Sequence, residues 1–260
     1  MPRYQGMEDF LATCEEEMHR SFHEGEDAIV TFSQVGERTF QRNFLDSVHK
    51  ILRSWKSYDY ESHTLQFTMA ESPEHAHAAT TFSDMVARWR PQSTRRVLLS
   101  SGACPFETSQ ETRTGKPKAR KPDGSWHPRT QFPGPPSVVL ECAKSESRRE
   151  LMTSVKFWLH EARSQGLEVE VVVTIQVKPL SVDLEKWKFD RKRDYRCEGK
   201  MTVKRANLTS TSDSLQVSGA SFQLTFQELT RMKPQRNHDC SNLCINRRDA
   251  GSIAQAIWIL

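Results

Sequence analysis

Residues 138–177 carry the strongest constraint on how this chain can fold. An apolar run, Val138-Val139-Leu140-Glu141-Cys142-Ala143, comes first. A segment with apolar residues at helical spacing follows: Leu151, Val155, Trp158, Leu159 and Ala162, closed by Gly166. Then Val169, Val171, Val173, Ile175 and Val177 alternate. Period 2, then 3.6, then 2 predicts a strand, a helix capped by Ser145 or Ser147, and a second strand. Such a crossover pairs its strands in parallel, with right-handed connection. Val172 adds an apolar residue on the other face, which predicts a central strand.

The flanking sequence supplies further elements. Residues 1–25 are polar and acidic, with Met7, Phe10, Leu11 and Met18 at loose helical spacing, and read as a short peripheral helix or an arm. Ala28–Phe32 reads as a strand. Phe40, Phe44, Val48, Leu52 and Trp55 form one stripe and predict a helix. His63–Met69 alternates as a half-buried strand. Ser72-Pro73 is a helix start that runs to Trp89 and stops at Pro91. Arg96–Ser100 reads as a strand. The polar stretch from Gly102 to Lys121 reads as a long functional loop ending in Lys116, Lys118, Arg120 and Lys121. After residue 200, short strands at Met201–Val203, Ser214–Val217 and Ser221–Phe226 precede a closing helix from Asp249. The expected organisation is one α/β domain: an arm and first strand (1–36), a core (37–180), and a basic β-rich extension with a closing helix (181–260).

Composition narrows the function classes. The chain has 260 residues, 36% hydrophobic, with a net charge of +4. No run approaches the roughly 20 apolar residues of a membrane span. The charged first residues lack a secretory signal, so an intracellular protein, cytoplasmic or nuclear, is expected. Six scattered cysteines then read as reduced thiols. His238, Cys240 and Cys244 suggest a soft metal, but zinc needs four ligands and no second pair is evident. Cys142 on its apolar strand reads as packing rather than as a nucleophile.

Two carboxylates and a lysine stand out as candidate chemistry. Asp123 lies in a Pro-Asp-Gly turn before a short strand, and Glu141 lies near the end of the apolar strand. A carboxylate on so apolar a strand needs compensation by a metal, a cation or a hydrogen-bond network. Mg²⁺ or Mn²⁺ takes hard oxygen ligands and would suit such a pair. Lys156 on the following helix could reach back over the sheet and offset transition-state charge. The plainer alternatives stay open: Asp123 as a turn residue, Glu141 paired with Arg148 or Arg149, and Lys156 lying along a half-buried helix. Lys188, Arg191, Lys192 and Arg193 stand among Trp187, Phe189 and Tyr195, a mixture of cations and aromatics that suits either single-stranded nucleic acid or a solvated strand edge.

The runs Lys121-Pro122-Asp123-Gly124-Ser125-Trp126-x-Pro128 and Pro136-Ser137-Val138-Val139-Leu140-Glu141-x-Ala143-x-Ser145-Glu146-Ser147, with Leu151 and Trp158, resemble uncharacterised fungal proteins of the PD-(D/E)xK restriction-endonuclease-like superfamily. They are also similar to bacterial proteins of that type whose lysine has moved to the following helix. Gly219-x-x-Phe222-x-Leu224-x-Phe226 and Arg231 resemble the tail of the fungal group. The resemblance covers roughly residues 100–260. It implies a central mixed sheet flanked by helices, with a C-terminal β-rich extension.

It further implies a magnesium-dependent nuclease acting on DNA or RNA, with Asp123 and Glu141 as metal ligands and Lys156 positioning water. Glu37 is a weaker match to an extra acid on the first helix. The motif lysine position is occupied by Ala143; Lys144 is adjacent but falls on the opposite face by strand alternation. The alternative is a catalytically inactive relative serving as a nucleic-acid-binding or protein-interaction module. The oligomeric state stays open, a dimer included.

Overall fold

The computed structural model describes residues 1–24, 27–47, 52, 54–89, 98–107, 118–144, 148–163, 166–208, 215–234 and 241–258. The chain divides into two compact units, Met1–Ser72 with Pro105–Lys121, and Pro73–Cys104 with Pro122–Leu260.

The first unit contains α1 (Met7–Glu24), β1 (Ala28–Phe32), α2 (Glu37–Phe40), β2 (Trp55–Asp59) and β3 (Thr64–Ala70), and later β5 (Phe106–Glu107) and β6 (Lys118–Arg120). Its strands form one antiparallel sheet in the order β1-β3-β2-β6-β5. Aromatic rings fill the core. Phe10 of α1 lies 4.8 Å from Phe32 and 5.1 Å from both Phe44 and Phe67, and Phe40 stacks on Tyr58 at 4.0 Å. Burying each ring contributes about 1.5–3 kcal/mol. The N-terminal helix is therefore part of this core, with Phe10 and Cys14 buried, and is not peripheral.

Two expectations fail in this unit. Among the described residues of the predicted Phe40–Trp55 helix, α2 ends at Phe40 and a π-helical turn follows over Gln41–Leu45; Val48 lies outside the described residues. Trp55 begins β2 instead. It and Tyr58 are buried while β2 pairs with β3 on one edge and β6 on the other. Aromatic residues spaced at 3.6 also satisfy two short elements that bury the same core. The long loop is likewise bounded by strands. Lys118 and Arg120 belong to β6, where Arg120 is buried. The Lys121 amide donates to the Lys56 carbonyl, and its ammonium lies 4.4 Å over the Trp55 ring. Lys116 lies outside the described residues.

The second unit holds α3 (Pro73–Trp89), β4 (Leu98–Ser100), β7 (Gly124–Pro128), β8 (Val138–Ala143), α4 (Arg148–Lys156), β9 (Val171–Lys178), β10 (Ser181–Asp190), β11 (Asp194–Lys204), β12 (Gln216–Gly219), β13 (Phe222–Leu224), α5 (Phe226–Thr230), β14 (Leu243–Ile245) and α6 (Arg247–Trp258). Seven strands form a mixed sheet in the order β12-β11-β10-β9-β8-β7-β4, with β9 at its centre. Among the described strands of this sheet only β8 and β9 pair in parallel, as the intervening helix α4 requires. A π-helical turn over Phe157–Glu161 continues α4. A short ribbon, β13-β14, stands apart.

Alternation divides the central strands between two faces. Val138, Leu140 and Cys142 of β8 join Val171, Val173 and Ile175 of β9 in one core with Ala78, Phe82 and Val86 of α3 and Ile253 and Ile257 of α6. The spacings 78, 82, 86 and 253, 257 are one helix stripe each. The other face carries Val139, Glu141 and Ala143, and Val172, Thr174 and Gln176, beneath α4, whose Leu151 and Val155 are fully buried. The unit is thus a mixed α/β fold with helices on both faces of a large sheet.

Candidate functional site

The sheet face under α4 is unusually polar for an interior. Glu141, Thr174 and Glu185 sit side by side on β8, β9 and β10, and all are buried. Glu141 accepts a 2.5 Å hydrogen bond from the Trp158 indole N–H. Glu185 is held by the Arg148 guanidinium at 2.6 Å and the Lys200 ammonium at 3.0 Å. Asp183, two residues earlier on the same face, takes the Lys178 ammonium at 2.7 Å and the Thr202 hydroxyl at 2.6 Å. Burial alone raises the Asp183 carboxyl, but these donors and Lys200 outweigh it and hold it below the usual range.

Asp123 meets α3 instead. Its amide donates to the Leu140 carbonyl, one step before the Gly124–Leu140 register pair. One carboxylate oxygen accepts the Cys142 amide at 2.5 Å, and the other lies 3.4 Å from His75 Nε2 on the first turn of α3. Lys144 follows the same alternation as Cys142 and reaches that turn too, with its ammonium 2.8 Å from the Glu74 carboxylate. Asp123, His75, Lys144 and Glu74 therefore meet at the N-terminal end of α3.

The expected set is thus regrouped. Asp123 meets His75 of α3, while Glu141 meets Trp158 of the turn that continues α4. Lys156 is exposed, while the residue that reaches Glu141 from that helix is Trp158, two positions on. Arg148, expected beside Glu141, pairs with Glu185. Lys144 follows the Cys142 alternation, and its ammonium meets Glu74, the residue before His75. Glu37 opens α2 in the first unit, where it accepts from Gln41 at 3.3 Å.

The basic aromatic segment forms the β10–β11 hairpin. Arg191, Lys192 and Arg193 are exposed at its turn. Lys188 pairs with Glu228 at 3.0 Å. Of the zinc candidates, His238 and Cys240 lie outside the described residues, and Cys244 is exposed on β14.

Sequence reasoning missed His75, Glu74, Glu185 and the Lys186–Glu228 pair. Two of them left a signal: His75 interrupts the buried stripe of α3, and Asp183-x-Glu185-x-Trp187 alternates in step with β9. The others left none, because their partners are far away in the chain.

No protein family and no curated protein matches the sequence. A crystal structure described as "a putative nuclease belonging to DUF820", from Anabaena variabilis, is similar over 56% of this chain and 76% of its own, with a TM-score of 0.37 and 10% identity. It is a distant likeness. Among the described residues, no helix is long and apolar enough to cross a membrane.

Proposed function

We propose that this chain hydrolyses nucleic-acid phosphodiesters with a divalent ion, and that its ligand and lysine groups lie at the first turn of α3. The observation that carries this reading is the convergence of Asp123, His75 and Lys144 on that turn. Asp123 offers a hard oxygen and His75 an imidazole nitrogen. Such a mixed pair suits Mn²⁺ better than Mg²⁺, which favours all-oxygen shells. A bound ion there would polarise the phosphate and acidify a water. Lys144 stands where Lys156 was expected to act, and its ammonium would offset developing negative charge once released from Glu74. The Cys142 amide fixes the Asp123 carboxylate. The exposed cations of the β10–β11 turn, Arg191, Lys192 and Arg193, suit a DNA or RNA backbone.

The test is cleavage of single- and double-stranded DNA and RNA with Mn²⁺ or Mg²⁺ against EDTA. Cleavage lost in Asp123→Ala, His75→Ala and Lys144→Met but kept in Lys156→Met supports the regrouped site. Loss in Lys156→Met with retention in Lys144→Met returns the role to the helix lysine. No metal-dependent cleavage by the folded parent sinks the enzyme reading.

A second reading is favoured by a separate observation: Glu141 is closed in the core against Trp158 and Lys156 faces solvent. On that reading the chain is a non-catalytic binding module. It expects labelled oligonucleotides to bind in EDTA and remain intact after metal is added.

A further inference from the structure

The second unit contains a cleft unconnected with Asp123. About 540 Å³ in volume, it lies between the C-terminal half of α3, β14 and the start of α6. That volume falls in the range of small-molecule sites. Trp89 stands 14 residues beyond His75 on α3, about 20 Å along the helix axis at 1.5 Å per residue.

Its lining is rich in donors. Arg88 comes from α3 and Arg248 from α6, and Ser252 adds a hydroxyl. Neither arginine is ion-paired among the described residues. Arg88 spends only its Nε, on the Asp84 carbonyl at 3.3 Å, so its terminal nitrogens are left for a ligand. The Trp89 indole N–H is buried and has no acceptor among the described residues. The single acid on the wall, Asp249, is committed locally. It accepts the Asn246 amide at 3.0 Å, while Asn246 caps the Arg248 and Asp249 amides at 2.8 and 3.1 Å. Two guanidinium groups that are not ion-paired to the one lining carboxylate favour an anion that accepts from both. Beside them, Trp89 and Met85 offer an aromatic and a thioether surface for a flat ring.

We propose that this cleft binds a nucleoside monophosphate, with Arg88 and Arg248 on the phosphate and the base against Trp89. The assignment stands independently of the Asp123–His75 reading.

Cys244 makes the site testable, because it is exposed and lines the cleft. The rate of its alkylation by iodoacetamide is followed by peptide mass spectrometry. The exposed thiols of Cys104 and Cys197 serve as internal references. The probes are the four common ribonucleoside 5′-monophosphates, the matching nucleosides, inorganic phosphate and a 5′-phosphorylated oligonucleotide. At least one mononucleotide is expected to slow Cys244 saturably by several-fold and leave the references unchanged. Arg88→Gln and Arg248→Gln, both at exposed positions, each weaken that protection about tenfold. Trp89→Phe keeps the phosphate contribution and weakens the difference between nucleotide and phosphate. No protection by any mononucleotide overturns the proposal. So does equal protection by the nucleoside, equal protection by inorganic phosphate, or protection by the oligonucleotide alone.

Discussion

Replacing Lys186 by methionine should cost about 3 kcal/mol, the lower end of the range for breaking a buried ion pair. Lys186 is buried on β10, and its ammonium contacts both Glu228 oxygens at 2.8 and 3.0 Å, the Gln223 carbonyl at 2.7 Å and Glu198 at 3.4 Å. Glu228 in turn closes the capping box of α5 with Thr225. The variant strips the Gln223 carbonyl and most of the Glu228 charge of their donor. Lys188 at 3.0 Å and the Thr225 amide at 2.7 Å remain, which places the cost at the low end. Burial pushes the Glu228 carboxyl up, but Lys186, the Thr225 amide and Lys188 together bring it below its ordinary 4.5. A depressed carboxyl contributes stability above its unfolded value and loses it as pH falls through the folded one. The penalty of Lys186→Met should therefore be full at neutral pH and shrink as pH falls through the depressed folded value of Glu228, where the carboxyl becomes neutral. Urea unfolding followed by tryptophan fluorescence reads this out, since Trp55 alone of the six tryptophans lies in the first unit. The midpoint should fall by about 1 M at neutral pH. A penalty that grows as the pH is lowered from neutral, or a midpoint shift below about 0.3 M at neutral pH, would refute the reasoning.

Other outcomes follow from single contacts. Trp158→Phe removes the indole donor of the fully buried Glu141 and should lower stability by about 1.5–3 kcal/mol, seen as a lower melting temperature with the ring volume nearly kept. Gly219→Ala should destabilise by more than about 1 kcal/mol, because φ is +93° there and a Cβ would stand 2.2 Å from the Lys200 carbonyl oxygen; a stable variant in a thermal melt contradicts this. Native-state alkylation should spare Cys14, whose thiol is pushed up to about 12 by burial and then by Glu17, and should modify Cys104 and Cys244 first. Rapid modification of Cys14 without unfolding would show that its site opens locally.

Much of the second unit was legible locally. The β8–α4–β9 crossover, the start of α3 at Pro73 and the stripe of α6 follow from periodicity and from Pro and Gly placement. The tail motif is also explained piece by piece. Gly219 takes the left-handed turn, Phe222 and Leu224 point inward on β13, and Arg231 clamps the Pro135 and Pro136 carbonyls, the Gln131 side chain and the Glu168 carbonyl. What periodicity misread were segments whose burial comes from strand pairing, such as Trp55–Asp59. The buried charges of β10, Glu185 and Lys186, were equally invisible, because their counter-ions arrive from α4, β11 and α5.

The candidate site shows the division most clearly. The amino-acid sequence by itself determined that Asp123 lies in a turn, that Glu141 lies on a buried strand, and that Lys144 faces away from it. Those are properties of neighbours along the chain, governed by turn chemistry and the two-residue repeat of a strand. Only the tertiary structure decided that Asp123 meets His75, that Glu141 meets Trp158, and that Lys156 meets solvent. A carboxylate settles beside whichever donor the packing of distant helices brings near, and 17 to 48 residues of intervening chain leave no local record of that choice.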